Sequence, residues 1–153
     1  MPRMTLDTPT GTFSLTEEDG AITRATWAPV DDGARDDTPL LTRAAEQIRA
    51  YFEDGPLSFD LPLRVAGSAF QQAVCAEMAA IPLGETSTYG QIAKRLKAPA
   101  QAVGQACGAN PIALIIPCHR VLGTGNLGGF SGGSGVETKV WLLRHERAGG
   151  LLI

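Results

Sequence analysis

The chain has 153 residues, 44% of them hydrophobic and 19% charged, with a net charge of −3; that suits one domain, or one domain with a small appendage, around a buried core. No run approaches the ~18 apolar residues of a membrane span, and the start, "MPRMTLDTPTGTF", lacks the apolar core of a signal peptide. Three irregularly spaced cysteines argue against a disulfide framework and fit a reducing, cytoplasmic setting.

Two short β-like runs flank a Glu-Asp-Gly turn signal in "GTFSLTEEDGAITRATW". "DDGARDDTP" follows as an exposed polar loop. In "LLTRAAEQIRAYF", Leu40, Leu41, Ala44, Ala45, Ile48 and Phe52 share one helical face. The proline-punctuated "GPLSFDLPLRVAG" reads as an extended linker. Beyond it, Phe70, Val74, Met78 and Ile81 are spaced as a helical stripe. After "PLGETST", Ser87 or Thr88 can cap a second helix bearing Tyr89, Ile92, Ala93 and Leu96. Lys97 and Ala98 make a turn, and Pro99 suits the first position of a third helix, "PAQAVGQACGA". Two short helices around a tight turn predict a helix-turn-helix. The apolar run "IALII" reads as a strand ended by Pro117. "GTGNLGGFSGGSG" then serves either as a connector or as a loop whose bare backbone approaches a flat ligand; it does not match a phosphate-binding loop. A last helix, "VETKVWLLRHERA", closes the chain. The expected class is α+β. Residues 1–63 form a small N-terminal part with an antiparallel sheet and a helix, and residues 64–153 a mostly helical part with the helix-turn-helix and a reactive cysteine.

Charge divides at the same place. Residues 1–63 hold 5 basic and 12 acidic side chains, a net of −7, and residues 64–153 hold 8 basic and 4 acidic, a net of +4. A polyanion is therefore expected on the second part, with the first as an acidic scaffold.

A reduced cysteine is ordinarily a small buried hydrophobe, and Cys75 and Cys107 fit that description among their small or apolar helical neighbours. Cys118 differs, because in "PCHRV" a proline precedes it and His119 follows at once. A continuing strand would aim residues 118 and 119 at opposite faces. A proline-induced turn can instead bring both into one pocket, where the imidazole takes the thiol proton directly or through a water. Glu146 is the candidate to orient that imidazole; the competing reading is an ordinary surface glutamate at a helix end. His145 beside it reads as a surface histidine. Zinc needs about four ligands at regular spacing, and these cysteines and histidines offer no such set, so no metal is expected. The small side chains of the third helix either pack closely on a neighbour or let it enter a narrow groove such as the minor groove of DNA.

In order along the chain, "FDLPL", "FQQAV", "IPLGETSTYGQIA", "AVGQACGANPIALIIPCHRV", "LGGFSGG" and "LLRHE" resemble the O6-alkylguanine-DNA alkyltransferases, or methylated-DNA–protein-cysteine methyltransferases. The "TPTGTFSL" opening is also similar to the family's first β segment. The resemblance implies a ribonuclease H-like structural part over residues 1–63 and a DNA-binding, alkyl-transfer domain over residues 64–153. It implies direct repair of O6-alkylguanine in double-stranded DNA, by irreversible single-turnover transfer of the alkyl group to Cys118. The protein would be a cytoplasmic monomer, with no cofactor and little sequence preference. In that reading His119 is the base, Glu146 holds it, Tyr89 protonates the departing guanine and Asn110 braces the active-site turn. DNA contacts fall to Thr88, Tyr89, Gln91 and Arg120, and to Pro99, Ala100, Gln101, Ala102, Gly104 and Gln105 of the third helix, while the damaged nucleotide turns out of the stack. Val121, Phe130, Ser131 and Gly132 line the substrate pocket.

Several positions depart from the family pattern. Gln101 stands where arginine is usual, which implies weaker duplex binding or slower repair, with neighbouring Lys97 as the candidate to compensate. Phe130 replaces a common tyrosine, Cys75 a common tryptophan, and the stretch before Lys139 is slightly long. Two other classes use the same residues. One is a lesion-sensing DNA-binding protein with weak or no transfer activity, and the other a cysteine hydrolase built on Cys118, His119 and Glu146.

Overall fold

A computed structural model describes residues 1–29, 35–130 and 132–148. Strands β1 (Arg3–Thr8), β2 (Gly11–Glu18) and β3 (Ala21–Thr26) form an antiparallel sheet in chain order. β2 and β3 are the two runs anticipated from the sequence, joined through Asp19 and Gly20 at positive φ; β1 is an addition to that reading. Leu6, Phe13, Leu15, Ile22 and Ala25 are buried beneath helix α1 (Pro39–Glu53). Thr38 caps α1 by accepting from Leu41 N at 3.1 Å, with Pro39 next to it, where a missing N–H does no harm. Its buried stripe is Leu41, Ala44, Ala45, Ile48 and Tyr51, whereas Leu40 and Phe52 are only partly buried. Each fully buried Leu or Ile contributes roughly 1.5–3 kcal/mol.

The stretch from Gly55 to Ser68 is extended, as expected, but it is no free linker. Ile22 N donates to Pro62 O (2.8 Å) and Arg64 N to Ile22 O (3.0 Å), while Leu57, Phe59, Leu61, Leu63 and Val65 pack on the core. Its alternating apolar positions give it a face to bury, and its backbone pairs along the open edge of β3.

The second part comprises α2 (Ala69–Ala79), β4 (Ser87–Thr88), α3 (Tyr89–Leu96), α4 (Ala100–Gly108), a 3-10 turn (Cys118–Arg120), β5 (Val121–Leu122) and α5 (Val136–His145), with β4 and β5 parallel. One apolar cluster runs from the sheet through α1 into α2, α3, α4 and residues 112–116, so both halves share a core. Among the described residues no helix is long and apolar enough to cross a membrane.

Candidate active site

The expected helix-turn-helix is α3 and α4. Thr88 Oγ1 accepts from Gln91 N and Gln91 Oε1 accepts from Thr88 N, both at 3.0 Å, a reciprocal capping box. Lys97 closes α3 in the left-handed conformation, φ 54°, and an extended Pro99 stands one residue earlier than expected, as the N-cap of α4. Val103, Ala106 and Cys107 of α4 face inward. Pro99, Ala100, Gln101 and Gln105 are exposed, and Ala102 and Gly104 partly so, which leaves an outer face with few long side chains.

Residues 111–117 form a clasped turn rather than the expected strand. Asn110 Nδ2 donates to Ile116 O (2.8 Å), its Oδ1 accepts from Ile112 N (3.0 Å), and Ile116 N donates to Ile112 O (2.9 Å). Leu114 lies at φ 68°, a left-handed conformation that costs an L-residue roughly 1–2 kcal/mol and that burial of Leu114, Ile115 and Ile116 offsets. β3 holds the turn in place, with Ala25 N donating to Pro111 O and Ala113 N to Ala25 O, each at 2.9 Å. After Pro117 the chain tightens into the 3-10 turn, which separates two side chains expected to share a pocket. Cys118 is partly exposed in a cavity, and His119 is fully buried outside its lining.

His119 Nε2 lies 2.7 Å from Glu146 Oε2. Glu146 also accepts from Arg120 Nε (2.8 Å) and Tyr51 Oη (2.5 Å). Burial pushes the Glu146 carboxyl up, but the hydrogen bonds from His119, Arg120 and Tyr51 more than offset it and hold the group at about 2. An ionised carboxylate only accepts, so Nε2 carries the proton and Nδ1 keeps a bare lone pair. Nδ1 is the buried polar side-chain atom without a hydrogen-bond partner among the described residues. Burial also holds His119 below its ordinary range, against the pull of Glu146. The ring is therefore neutral at neutral pH, with a free basic nitrogen.

Two expectations fail here for the same reason, the depth of this cluster. Arg120, expected among the DNA contacts, is buried, and its Nη1 donates to Ile81 O (2.9 Å) beside the Glu146 bond; its guanidinium is committed inside the protein. His145, expected on the surface, is partly buried, stacks on Trp141 at 4.9 Å and donates from Nε2 to Tyr51 O (2.5 Å).

The cavity holds about 930 Å³, within the roughly 300–1,000 Å³ of small-molecule sites. Trp27 and Phe130 meet edge to face at 5.7 Å on one side, and Phe13 backs Trp27 at 5.0 Å. Tyr89 lines another side, with its ring between Gly104 and Gly128; a Cβ at Gly128 would stand 2.8 Å from the ring. Above Tyr89, at 5.8 Å, lies Nζ of the fully buried Lys139, which donates to Val121 O (2.7 Å) and Gly129 O (3.1 Å). Burial lowers Lys139 to about 8, against the pull of Cys118 and Cys107. Burial raises the Cys118 thiol, opposed by the Asn110 hydrogen bond and the Lys139 charge, and it raises the Tyr89 phenol. At rest these groups are a thiol and a phenol.

Of the expected pocket residues, Phe130 and Gly132 line the cavity. Val121 does not: its side chain is fully buried and its carbonyl accepts from Lys139. Ser131 lies outside the described residues. Gln101, Gly104 and Gln105 reach the cavity from α4. Cys75 and Cys107 are buried, and burial first of all lifts Cys107 to about 12. Among the described residues no group of three or more side chains is placed to hold a metal.

Fold and site together define the class: a helix-turn-helix protein with a free cysteine set in an aromatic-walled cavity. Family models described as 6-O-methylguanine DNA methyltransferase, ribonuclease-like domain, and 6-O-methylguanine DNA methyltransferase, DNA binding domain, match residues 1–65 and 69–148. The chain belongs to the 6-O-methylguanine DNA methyltransferase family. The methylated-DNA–protein-cysteine methyltransferase of Mycolicibacterium paratuberculosis is 40% identical over 151 residues, covering 94% of this chain and 90% of the relative. That of Methanosarcina acetivorans is 42% identical over 120 residues, 76% of each chain. The crystal structure of Mycobacterium tuberculosis OGT in complex with DNA is 39% identical and superposes with a TM-score of 0.84 over 98% of this chain and 96% of its own.

Proposed function

We propose that the protein repairs O6-alkylguanine in double-stranded DNA by moving the alkyl group irreversibly onto Cys118, once per molecule. The observation that carries this reading is Nδ1 of His119, a buried and unpartnered base whose neighbour in sequence is the cysteine of the cavity. α4 enters the minor groove along Pro99 to Gln105, with Thr88 and Gln91 at the adjoining helix start. The alkylated nucleotide turns out of the stack into the cavity between Trp27, Phe130 and Tyr89.

His119 Nδ1 takes the Cys118 proton through a bridging water. Sγ then attacks the alkyl carbon in line. The S–C bond forms as the C–O bond breaks, the electron pair passes to the guanine, and Tyr89 delivers its phenolic proton to the departing base. Lys139 stabilises the negative charge that develops at sulfur and phenolate. The proton on His119 returns to Tyr89, which closes the balance without a cofactor. The thioether has no leaving group that water can displace, so the reaction stops there. Residues 1–63 act as the structural part and residues 64–153 as the DNA-binding, alkyl-transfer part. Phosphate and groove-shape contacts give little sequence preference, and we place the protein in the cytoplasm as a monomer.

Mass spectrometry after incubation with a duplex containing O6-methylguanine tests the reading. One methyl group on the Cys118 peptide, absent from Cys118→Ala, is expected. Tight binding without an adduct replaces repair by lesion sensing, and repeated turnover of an ester or amide replaces it by hydrolysis.

A further inference from the structure

The cavity wall is nearly free of charge, and its exception comes from the acidic half of the chain. Among the described residues that line it, Arg24 is the only one carrying a formal charge at neutral pH. Arg24 lies within β3, one residue before Ala25, whose N–H and C=O are fixed to Pro111 and Ala113. Backbone pairing therefore sets its place beside the turn that leads to Cys118. The side chain is exposed, and its guanidinium has no hydrogen bond or ion pair among the described residues. Two nearby arginines are engaged by contrast: Arg43 pairs with Asp60 at 3.2 Å, and Arg64 donates to the carbonyls of Glu18 and Asp19 at 3.1 and 3.3 Å. Residues 1–63 have a net charge of −7, so carboxylates are plentiful, yet this cation faces the cavity instead. From α4 the same cavity is lined by the uncharged amides of Gln101 and Gln105.

We propose that Arg24 is a DNA contact, its guanidinium taking the phosphate beside the nucleotide that enters the cavity. A base turned out into that space carries its own phosphates to the rim, and a planar two-pronged donor matches a phosphate better than an ammonium does. The sheet half then grips the damaged strand while α4 occupies the groove. This rests on the repair reading above and extends it to a half of the chain that holds none of the helix-turn-helix.

Duplex affinity across a salt series, with methyl transfer followed on the same samples, tests the contact. The chains compared are wild type, Arg24→Gln, Arg24→Lys and a charge-matched control on α1, Arg49→Gln. Loss of one phosphate contact should flatten the slope of log K against log salt by about 0.9 in Arg24→Gln. Arg24→Lys should recover most of that slope, and Arg49→Gln should keep the wild-type value. Methyl transfer to Arg24→Gln should slow several-fold more on the duplex than on free O6-methylguanine base. A wild-type slope in Arg24→Gln, or an equal loss in Arg49→Gln, overturns the phosphate contact and leaves repair standing. Failure of the wild-type chain to gain a methyl on Cys118 overturns the repair reading and this extension with it.

Discussion

The α3–α4 pair and the cluster around Glu146 are assembled over different distances. In the helix pair the decisive contacts are local: Thr88 to Gln91, Lys97 closing one helix, Pro99 opening the next. In the cluster, Tyr51 and Glu146 are 95 residues apart, and Arg120 and Ile81 are 39 apart. The two also differ in what a lost partner costs. An exposed cap can turn to water, whereas a buried carboxylate or guanidinium cannot, and leaving one unpaired costs its desolvation in full. The surface proposed to meet DNA can therefore change cheaply, while the groups around Glu146 are tied to the whole fold.

Glu146→Gln should show the largest effect. It removes the charge against which Arg120 is buried and frees His119 to take the other tautomer. A loss of about 3 kcal/mol is expected in urea unfolding, with a transfer rate down ~100-fold or more in a single-turnover assay. The variant also carries a pH signature. Glu146 is held at about 2, below the roughly 4.3 of an unfolded glutamate. Its contribution to stability is complete above the unfolded value and is lost as pH falls through the folded one. Acid unfolding between those two values should flatten in Glu146→Gln; an unaltered acid profile would detach the carboxylate from stability.

Tyr51→Phe sharpens the comparison, because it removes one donor and leaves His119 and Arg120 in place. About 2 kcal/mol should be lost, with the transfer rate reduced far less than by Glu146→Gln. Wild-type stability in Tyr51→Phe would mean that the halves are not coupled through this carboxylate. On the local side, Gln101→Arg should shift stability by no more than about 0.5 kcal/mol yet speed repair of duplex substrate several-fold. An unchanged duplex rate breaks the link between position 101 and engagement of DNA.

The same contrast explains what was legible in the sequence. α3, α4 and their caps could be read because Thr88, Gln91, Lys97 and Pro99 act on neighbours a few residues away. Cys118, His119 and Glu146 stood out through residue type and motif. Tyr51 and Lys139 did not, because their partners lie far along the chain, although each left a trace. Tyr51 continues the stripe of Ile48, and Lys139 shares the buried face of α5 with Leu142, Leu143 and Glu146. A lysine on such a face is the mark of a buried cation. Arg120 misled for the converse reason: arginine is usually exposed, and only the fold reveals that Ile81 and Glu146 surround it. The run 112–116 was apolar enough for a strand, and the clasp by Asn110 turned it into something else.

The glycine-rich segment after β5 is less a slack tether than a mould cast around aromatic rings. A methyl carbon at position 132 would collide with Trp27 at 2.6 Å, as one at 128 would with Tyr89. Bulk added at positions 128 and 132 is thus paid in displaced rings, whereas Gly125 and Gly129 have open space around them. Engineering the protein to accept larger adducts should begin by trimming Phe130, leaving the glycines untouched.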